Sequence, residues 1–205
     1  MTISTDKVGK RFLNSWIFRD ISLELKSGVT YALIGHNGSG KSTLLQILAG
    51  YLSPSEGEVI FEHQGNKVKR DDIHKFLSFC SPYTELIEEL TLEEHLDFHQ
   101  KFRPFVDDLD VNAVMEIMEL EREWDKAVRF FSSGMKQRLK LALSILSQSG
   151  FILLDEPSTN LDQASTQWFL NLLKEYRGDR IIVIASNVEA DLQLCTDRIS
   201  VEQYK

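Results

Sequence analysis

The chain has 205 residues, 42% of them apolar and 26% charged, and a net charge of −8. That length suits one large domain, or one domain with an inserted subdomain. The apolar share excludes a disordered or fibrous class, and the acidic balance without a long Lys/Arg run disfavours nucleic acid as a partner.

Two cysteines, Cys80 and Cys195, fit free thiols in a reducing compartment better than a disulfide framework. The N-terminus is polar from Ser4 to Arg11, unlike a signal peptide. No apolar stretch approaches the ~20 residues that span a bilayer. The expectation is a protein soluble by itself, with a membrane partner left open.

Residues 1–28 read as short strands with a turn at Gly28, and Ile21-Ser22-Leu23-Glu24-Leu25 alternates as a half-buried strand does. Thr30-Tyr31-Ala32-Leu33-Ile34 is an apolar run, and Leu44 to Ala49 has a helical pattern. Ser53-Pro54-Ser55-Glu56-Gly57 marks a turn before a strand at Glu58 to Glu62. From Thr91 to about Ser147 the pattern is helical. Leu92, His95, Leu96 and His99 form one face, and Val111, Val114, Met115 and Met118 another, with Pro104 between them. A third helix is expected over Gln137 to Leu146, and a fourth over Trp168 to Tyr176. Phe151 to Leu154 and Ile181 to Ala185 are short apolar runs, suited to buried parallel strands. The sum is an α/β core with a helical insertion.

Gly35-His36-Asn37-Gly38-Ser39-Gly40-Lys41-Ser42-Thr43 matches G-x-x-x-x-G-K-[ST], between a strand pattern and a helix pattern. Three glycines let backbone N–H groups wrap around phosphate oxygens, and the helix aims its positive end at the same anion. Lys41 can reach the β- and γ-phosphates, and the Ser42 hydroxyl can ligate Mg²⁺.

The strand pattern at 151–154 runs into Asp155-Glu156. Two carboxylates at the C-terminal edge of a buried strand lie where open α/β sheets bind ligands. Asp155 is placed to hold Mg²⁺ through water. Glu156 is placed to orient or deprotonate a water attacking the γ-phosphate. Phe131-Ser132-Ser133-Gly134-Met135-Lys136-Gln137-Arg138 opens a helix. Its first N–H groups are either a second anion site or a simple N-cap.

The order of phosphate loop, serine-glycine helix start and Leu-Leu-Asp-Glu-Pro strand resembles the ATP-binding cassette ATPases, from about Ile3 to Val201. Their Walker A and Walker B motifs correspond to the phosphate loop and the strand ending in Asp155-Glu156. Their Leu-Ser-Gly-Gly-Gln signature looks like Phe131 to Met135, which departs from it by Phe for Leu, Ser for the first Gly and Met for Gln. The resemblance assigns Ser132, Ser133, Gly134 and Met135 to the ATP of the opposite subunit. It makes Ser158-Thr159-Asn160-Leu161-Asp162 the D-loop, and Phe12, 23 residues before Gly35, the adenine-stacking aromatic, with Trp16 as the alternative. The implied fold is a P-loop NTPase core with an N-terminal antiparallel β part, spanning 1–82 and 148–205, and an α-helical subdomain at about 83–147. The implied function is the ATP-binding and hydrolysing subunit of a membrane transporter, with ATP and Mg²⁺ as cofactors. It would work as a homodimer with a separate transmembrane permease, in the cytoplasm at the inner face of the membrane. The Ser-Gly-Met-Lys-Gln-Arg wording is nearer that of exporters.

Two departures bear on activity. Where the family usually carries a Gln that ligates Mg²⁺, this chain has Pro82, which has neither a side-chain oxygen nor a backbone donor. Where the family usually carries a switch His, it has Asn187, which can hydrogen-bond a γ-phosphate oxygen but cannot carry a charge. Slow hydrolysis is therefore expected, and the alternative reading is a non-transport or regulatory cassette that hydrolyses weakly. His95 and His99 have metal-ligand spacing but no third ligand, and read as a plain helix face. Glu85, Glu88, Glu89, Glu93 and Glu94 read as a solvated face. Tyr83, Leu86 and Ile87 beside them are expected to form an exposed apolar patch, near where the family's membrane partner docks.

Overall fold

A computed structural model describes residues 1–205. The chain folds as two compact units.

The first unit comprises Met1–Phe79, Ser149–Glu156 and Gly178–Lys205. Strands β1 (Thr2–Phe12) and β2 (Ser15–Lys26) form an antiparallel hairpin, and β4 (Glu56–His63) and β5 (Asn66–Val68) extend it into a sheet of order β2-β1-β4-β5. The N-terminal strands are longer than their pattern promises. Register shifts along β1 and left-handed residues at Lys7 and Asp20 break the alternation without ending the pairing. Gly57, at φ 74°, lets β4 cross close to β1, because a Cβ there would stand 2.3 Å from the Asp6 and Lys7 carbonyl oxygens.

The second sheet of this unit has the order β6-β7-β8-β3-β9, from β3 (Thr30–Ile34), β6 (Leu77–Cys80), β7 (Phe151–Asp155), β8 (Ile181–Ala185) and β9 (Asp197–Ser200). The β7–β8, β8–β3 and β3–β9 pairs are parallel. Every residue of β7 and β8 is buried, as expected of parallel strands covered on both faces. Helix α1 (Lys41–Leu48) follows β3 and buries Leu44, Leu45, Ile47 and Leu48. These share a core with Ile3, Phe18 and Phe61 of one sheet and Leu33, Leu153 and Val183 of the other. Each such side chain contributes about 1.5–3 kcal/mol by leaving water, so the helix that carries Lys41 is firmly seated.

The second unit comprises Cys80–Gln148 and Pro157–Arg177. Its helices are α2 (Leu92–Phe102), α3 (Val111–Ile117), α4 (Ser133–Ile145) and α5 (Gln163–Tyr176). Each starts on a side-chain cap. Thr91 and Glu94 make a reciprocal capping box on α2, and Asp110, Ser132 and Asp162 cap the other three. Arg103 turns extended ahead of Pro104 and ends α2. Helix α5 begins five residues before Trp168, because the Asp162 cap starts a polar first turn that carries no apolar signal. Trp168 Nε1 donates to the Ile117 carbonyl at 2.8 Å, satisfying a carbonyl at the end of α3. No helix is long and apolar enough to cross a membrane.

Candidate functional site

The phosphate loop joins β3 to α1, and each residue from Gly35 to Thr43 falls in the strand, loop and helix context that its motif requires. Gly40 is the residue before the first helical turn, at φ 106°, and offers no side-chain cap. The first N–H groups of α1 therefore stay available for an anion. Only glycine fits there, since a Cβ would lie 2.6 Å from Ile17 Cγ2 and 2.9 Å from Phe18 Cδ1 of β2. Lys41 is buried, and its Nζ donates to the carbonyls of Gly35 at 2.7 Å and His36 at 3.3 Å. Burial lowers the Lys41 pKa from the usual lysine value, against the raising effect of the Glu156, Asp155 and Glu202 carboxylates. The Ser39 hydroxyl is fully buried, with no hydrogen-bond partner.

Strand β7 brings its terminal acids to this loop. The Ser42 hydroxyl donates to Asp155 Oδ1 at 3.0 Å. Burial raises the Asp155 pKa above the usual carboxylate value, opposed by the Ser42 hydrogen bond. A buried carboxylate beside a hydroxyl is a hard oxygen donor set of the kind that suits Mg²⁺. Glu156 is exposed and left-handed, at φ 47°. Its N–H donates to the Ala185 carbonyl at 2.8 Å, so the parallel ladder holds the bend. A non-glycine residue in this region stores strain of about 1–3 kcal/mol, and such strain concentrates at functional sites. Asn187, just beyond β8, donates from Nδ2 to Asn37 Oδ1 at 2.6 Å. Lys41, Ser42, Asp155, Glu156, Asn37 and Asn187 thus meet in one unit.

Phe12 ends β1 with its ring half exposed and Lys10 Nζ 5.0 Å from the ring centroid. The Trp16 ring has Arg19 at 4.3 Å and Arg11 at 5.6 Å, leaving Phe12 the more open aromatic of the two.

In the helical unit, Ser132 and Ser133 are exposed at the start of α4, and Ser132 Oγ accepts from Met135 N at 3.2 Å. Ser132, Ser133, Gly134 and Met135 line a groove of ≈ 470 Å³ with Arg138, Asn160 and Asp162. Asp162 accepts from Ser165 N at 2.8 Å, and this bond, the first of several such contacts, holds its carboxyl below the usual range. The buried Gln137 donates from Nε2 to the Pro157 carbonyl at 2.7 Å, fixing the residue that follows Glu156. Pro82 accepts from Lys140 Nζ at 3.1 Å through its carbonyl. A groove of ≈ 510 Å³ is lined by Pro82, Tyr83, Leu86, Glu88, Lys136 and Lys140 among others. Tyr83 and Ile87 are exposed and Leu86 is half-buried. His99 donates to Ser147 Oγ at 2.7 Å and His95 accepts from Ile87 N at 3.3 Å, consistent with a packed helix face.

Sequence reasoning missed Glu202. Its Oε1 accepts from His36 N at 2.6 Å, on the phosphate loop itself. No sequence signal marked it, because Glu202 reaches the loop only through the place of β9 beside β3 in the sheet.

The family model described as "ABC transporter" matches residues 18–159. Human phospholipid-transporting ATPase ABCA3 is 31% identical over 188 residues, which is 89% of this chain and 11% of that protein. The uncharacterized ABC transporter ATP-binding protein YcbN of Bacillus subtilis (strain 168) is 30% identical over 205 residues, covering 97% of this chain and 66% of YcbN. The chain thus spans only a small part of the large relatives that it matches. An ATP-binding cassette solved as a dimer in a post-hydrolysis state, bound to ADP and Pi, superposes with a TM-score of 0.80 at 23% identity, covering 97% of this chain and 93% of that one. That likeness shows the fold. The family and these two relatives are transporters or their ATP-binding proteins, which does not favour a purely regulatory cassette.

Proposed function

The chain belongs to the ABC transporter family, as an ATP-binding ATPase cassette, and we propose that it drives a membrane transporter by closing as a homodimer on ATP. The observation that carries this is the convergence on one phosphate loop of Lys41, Ser42, Asp155 and the strained Glu156.

The backbone N–H groups from Gly38 to Thr43 hold the phosphates, and Lys41 leaves its carbonyl partners to neutralise β- and γ-oxygens. Ser42 and Asp155 would hold Mg²⁺, Asp155 through water; the ion supplies charge neutralisation of the phosphate oxygens when bound. Glu156 orients and deprotonates the attacking water, and Asn187 hydrogen-bonds a γ-phosphate oxygen. Phe12 stacks on adenine. The signature, Ser132 to Met135, meets the ATP held by the other copy, with Asp162 in the D-loop at that junction. A separate transmembrane permease docks on the groove around Tyr83 and Leu86, which would place the cassette on the cytoplasmic face of the membrane.

The test is MgATP binding with a fluorescent analogue, together with phosphate release. Saturable binding that Lys41→Ala abolishes while the fold is retained supports the reading. Equal affinity in the variant overturns it.

A further inference from the structure

The chain beyond β9 clasps the phosphate loop from outside. The parallel register pairs Ile34 with Ser200; two residues further along each chain, that register sets Glu202 against His36. Glu202 Oε1 accepts from the His36 backbone N–H at 2.6 Å and lies 2.5 Å from His36 Nδ1. Lys205 Nζ is 3.2 Å from His36 Nε2. An ammonium group only donates, so Nε2 accepts, and the ring proton sits on Nδ1 and points at Glu202. One carboxylate therefore takes two N–H groups of one loop residue.

The clasp is itself anchored. Val201 is fully buried and Tyr204 packs against the core of the same unit. The approach is close, since a Cβ on Gly35 would come 3.3 Å from Glu202 Cγ. The clasped residue also matters to the site, because the Gly35 and His36 carbonyls are the two that seat Lys41.

We propose that Glu202 is a positioning residue for ATP binding: it fixes the start of the phosphate loop, and with it the seat of Lys41, before nucleotide arrives. This rests on the ATP-binding reading above. A loop ordered in advance gains affinity by lowering the cost of ordering on binding. The carboxylate also acts by charge, since it is one of three that act on Lys41, and as a bare charge it would repel a polyphosphate. Clasping and repulsion therefore predict opposite outcomes when Glu202 is replaced.

The experiment compares wild type, Glu202→Ala and Glu202→Gln for MgATP affinity, KM and kcat, and melting temperature. Both variants remove the charge, but only Gln keeps an oxygen for the His36 N–H. The expected result is a rise of about tenfold in Kd and KM for Glu202→Ala at unchanged kcat and melting temperature, most of it restored in Glu202→Gln. Unchanged or tighter binding in Glu202→Ala overturns the proposal. So does a Glu202→Gln protein as weak as the Ala variant, or an affinity loss that tracks a fall in melting temperature. A wild-type protein that binds no MgATP would refute the ATP reading itself.

Discussion

Asn187 Nδ2 donates to Asn37 Oδ1 at 2.6 Å, so the residue just beyond β8 is tied directly to the phosphate loop. The bond holds an amide donor beside the loop that would receive the γ-phosphate. An amide can hydrogen-bond a phosphate oxygen, but it remains neutral as charge develops in the transition state.

Basal turnover is therefore expected to be slow. Losing one preorganised transition-state contact typically costs about 10²–10³ in rate. Asn187→His should raise kcat with little change in ATP affinity, measured as phosphate release at saturating MgATP. Fast turnover in the unmodified protein, or a histidine variant no faster than wild type, would contradict the assignment.

The groove beside Pro82 gives a partner prediction. Tyr83 is exposed and Leu86 half-buried, and the nearby cations are engaged, Lys136 with Glu88 at 2.5 Å and Lys140 with the Pro82 carbonyl. Leu86→Asp puts a charge on the apolar part of that surface. It should weaken co-purification with a candidate membrane subunit, the proposed partner, at least tenfold, since burying an unpaired carboxylate at an interface costs several kcal/mol. ATP affinity should stay at the wild-type level. Full retention of the partner would show that Leu86 serves only local packing.

Much of this was legible in the sequence because it is local. The phosphate loop lies within nine consecutive residues, the buried strands β7 and β8 are apolar runs save for the terminal Asp155, and α2 and α3 each keep helical spacing on their own side of Pro104. What was not legible depends on residues brought together from afar. Glu202 meets His36 across 166 positions only because β9 lies parallel to β3, and β9 itself, Asp197–Ser200, is too short and too polar to register as a strand. The β1–β2 hairpin was legible only in pieces, because the backbone turns left-handed at Lys7 and Asp20 within long strands. The Asn37–Asn187 contact belongs to the same class, with 150 positions between its partners.

Acid should loosen the helical unit through His99. Ser147 donates its hydroxyl to the Leu143 carbonyl, so His99 Nε2 donates to Ser147. Burial first, then the nearby Arg103 and His95, push the His99 pKa down to about 4 from its usual 6.5. A depressed histidine pKa means that the unfolded chain binds the proton more readily. Stability is thus complete above pH 6.5 and is lost as the pH falls towards about 4. Between pH 7 and pH 5 the loss from this residue is about 2 kcal/mol. Urea unfolding at the two pH values measures it, and His99→Gln, which keeps a donor for Ser147, should flatten the difference. An equal loss in the Gln variant would assign the effect elsewhere.

Glu156 makes the sharpest test of the catalytic geometry. Its carboxylate is exposed at the end of β7, held by a strained backbone and by the Ala185 carbonyl, and its charge reaches Lys41. On the proposed reading the loop N–H groups and Lys41 hold the phosphates and Glu156 is the base, so Glu156→Gln should leave binding intact and remove only the base. General-base catalysis of this kind is worth about 10²–10⁴ in rate. The variant should therefore bind MgATP at least as tightly as wild type while hydrolysing it that much more slowly. If ATP closes two copies on each other, the variant should also accumulate as an ATP-dependent dimer in size-exclusion chromatography, where wild type runs as a monomer after turnover. Undiminished hydrolysis would remove Glu156 from the reaction, and slow hydrolysis without a dimer would separate the chemistry from the proposed closure.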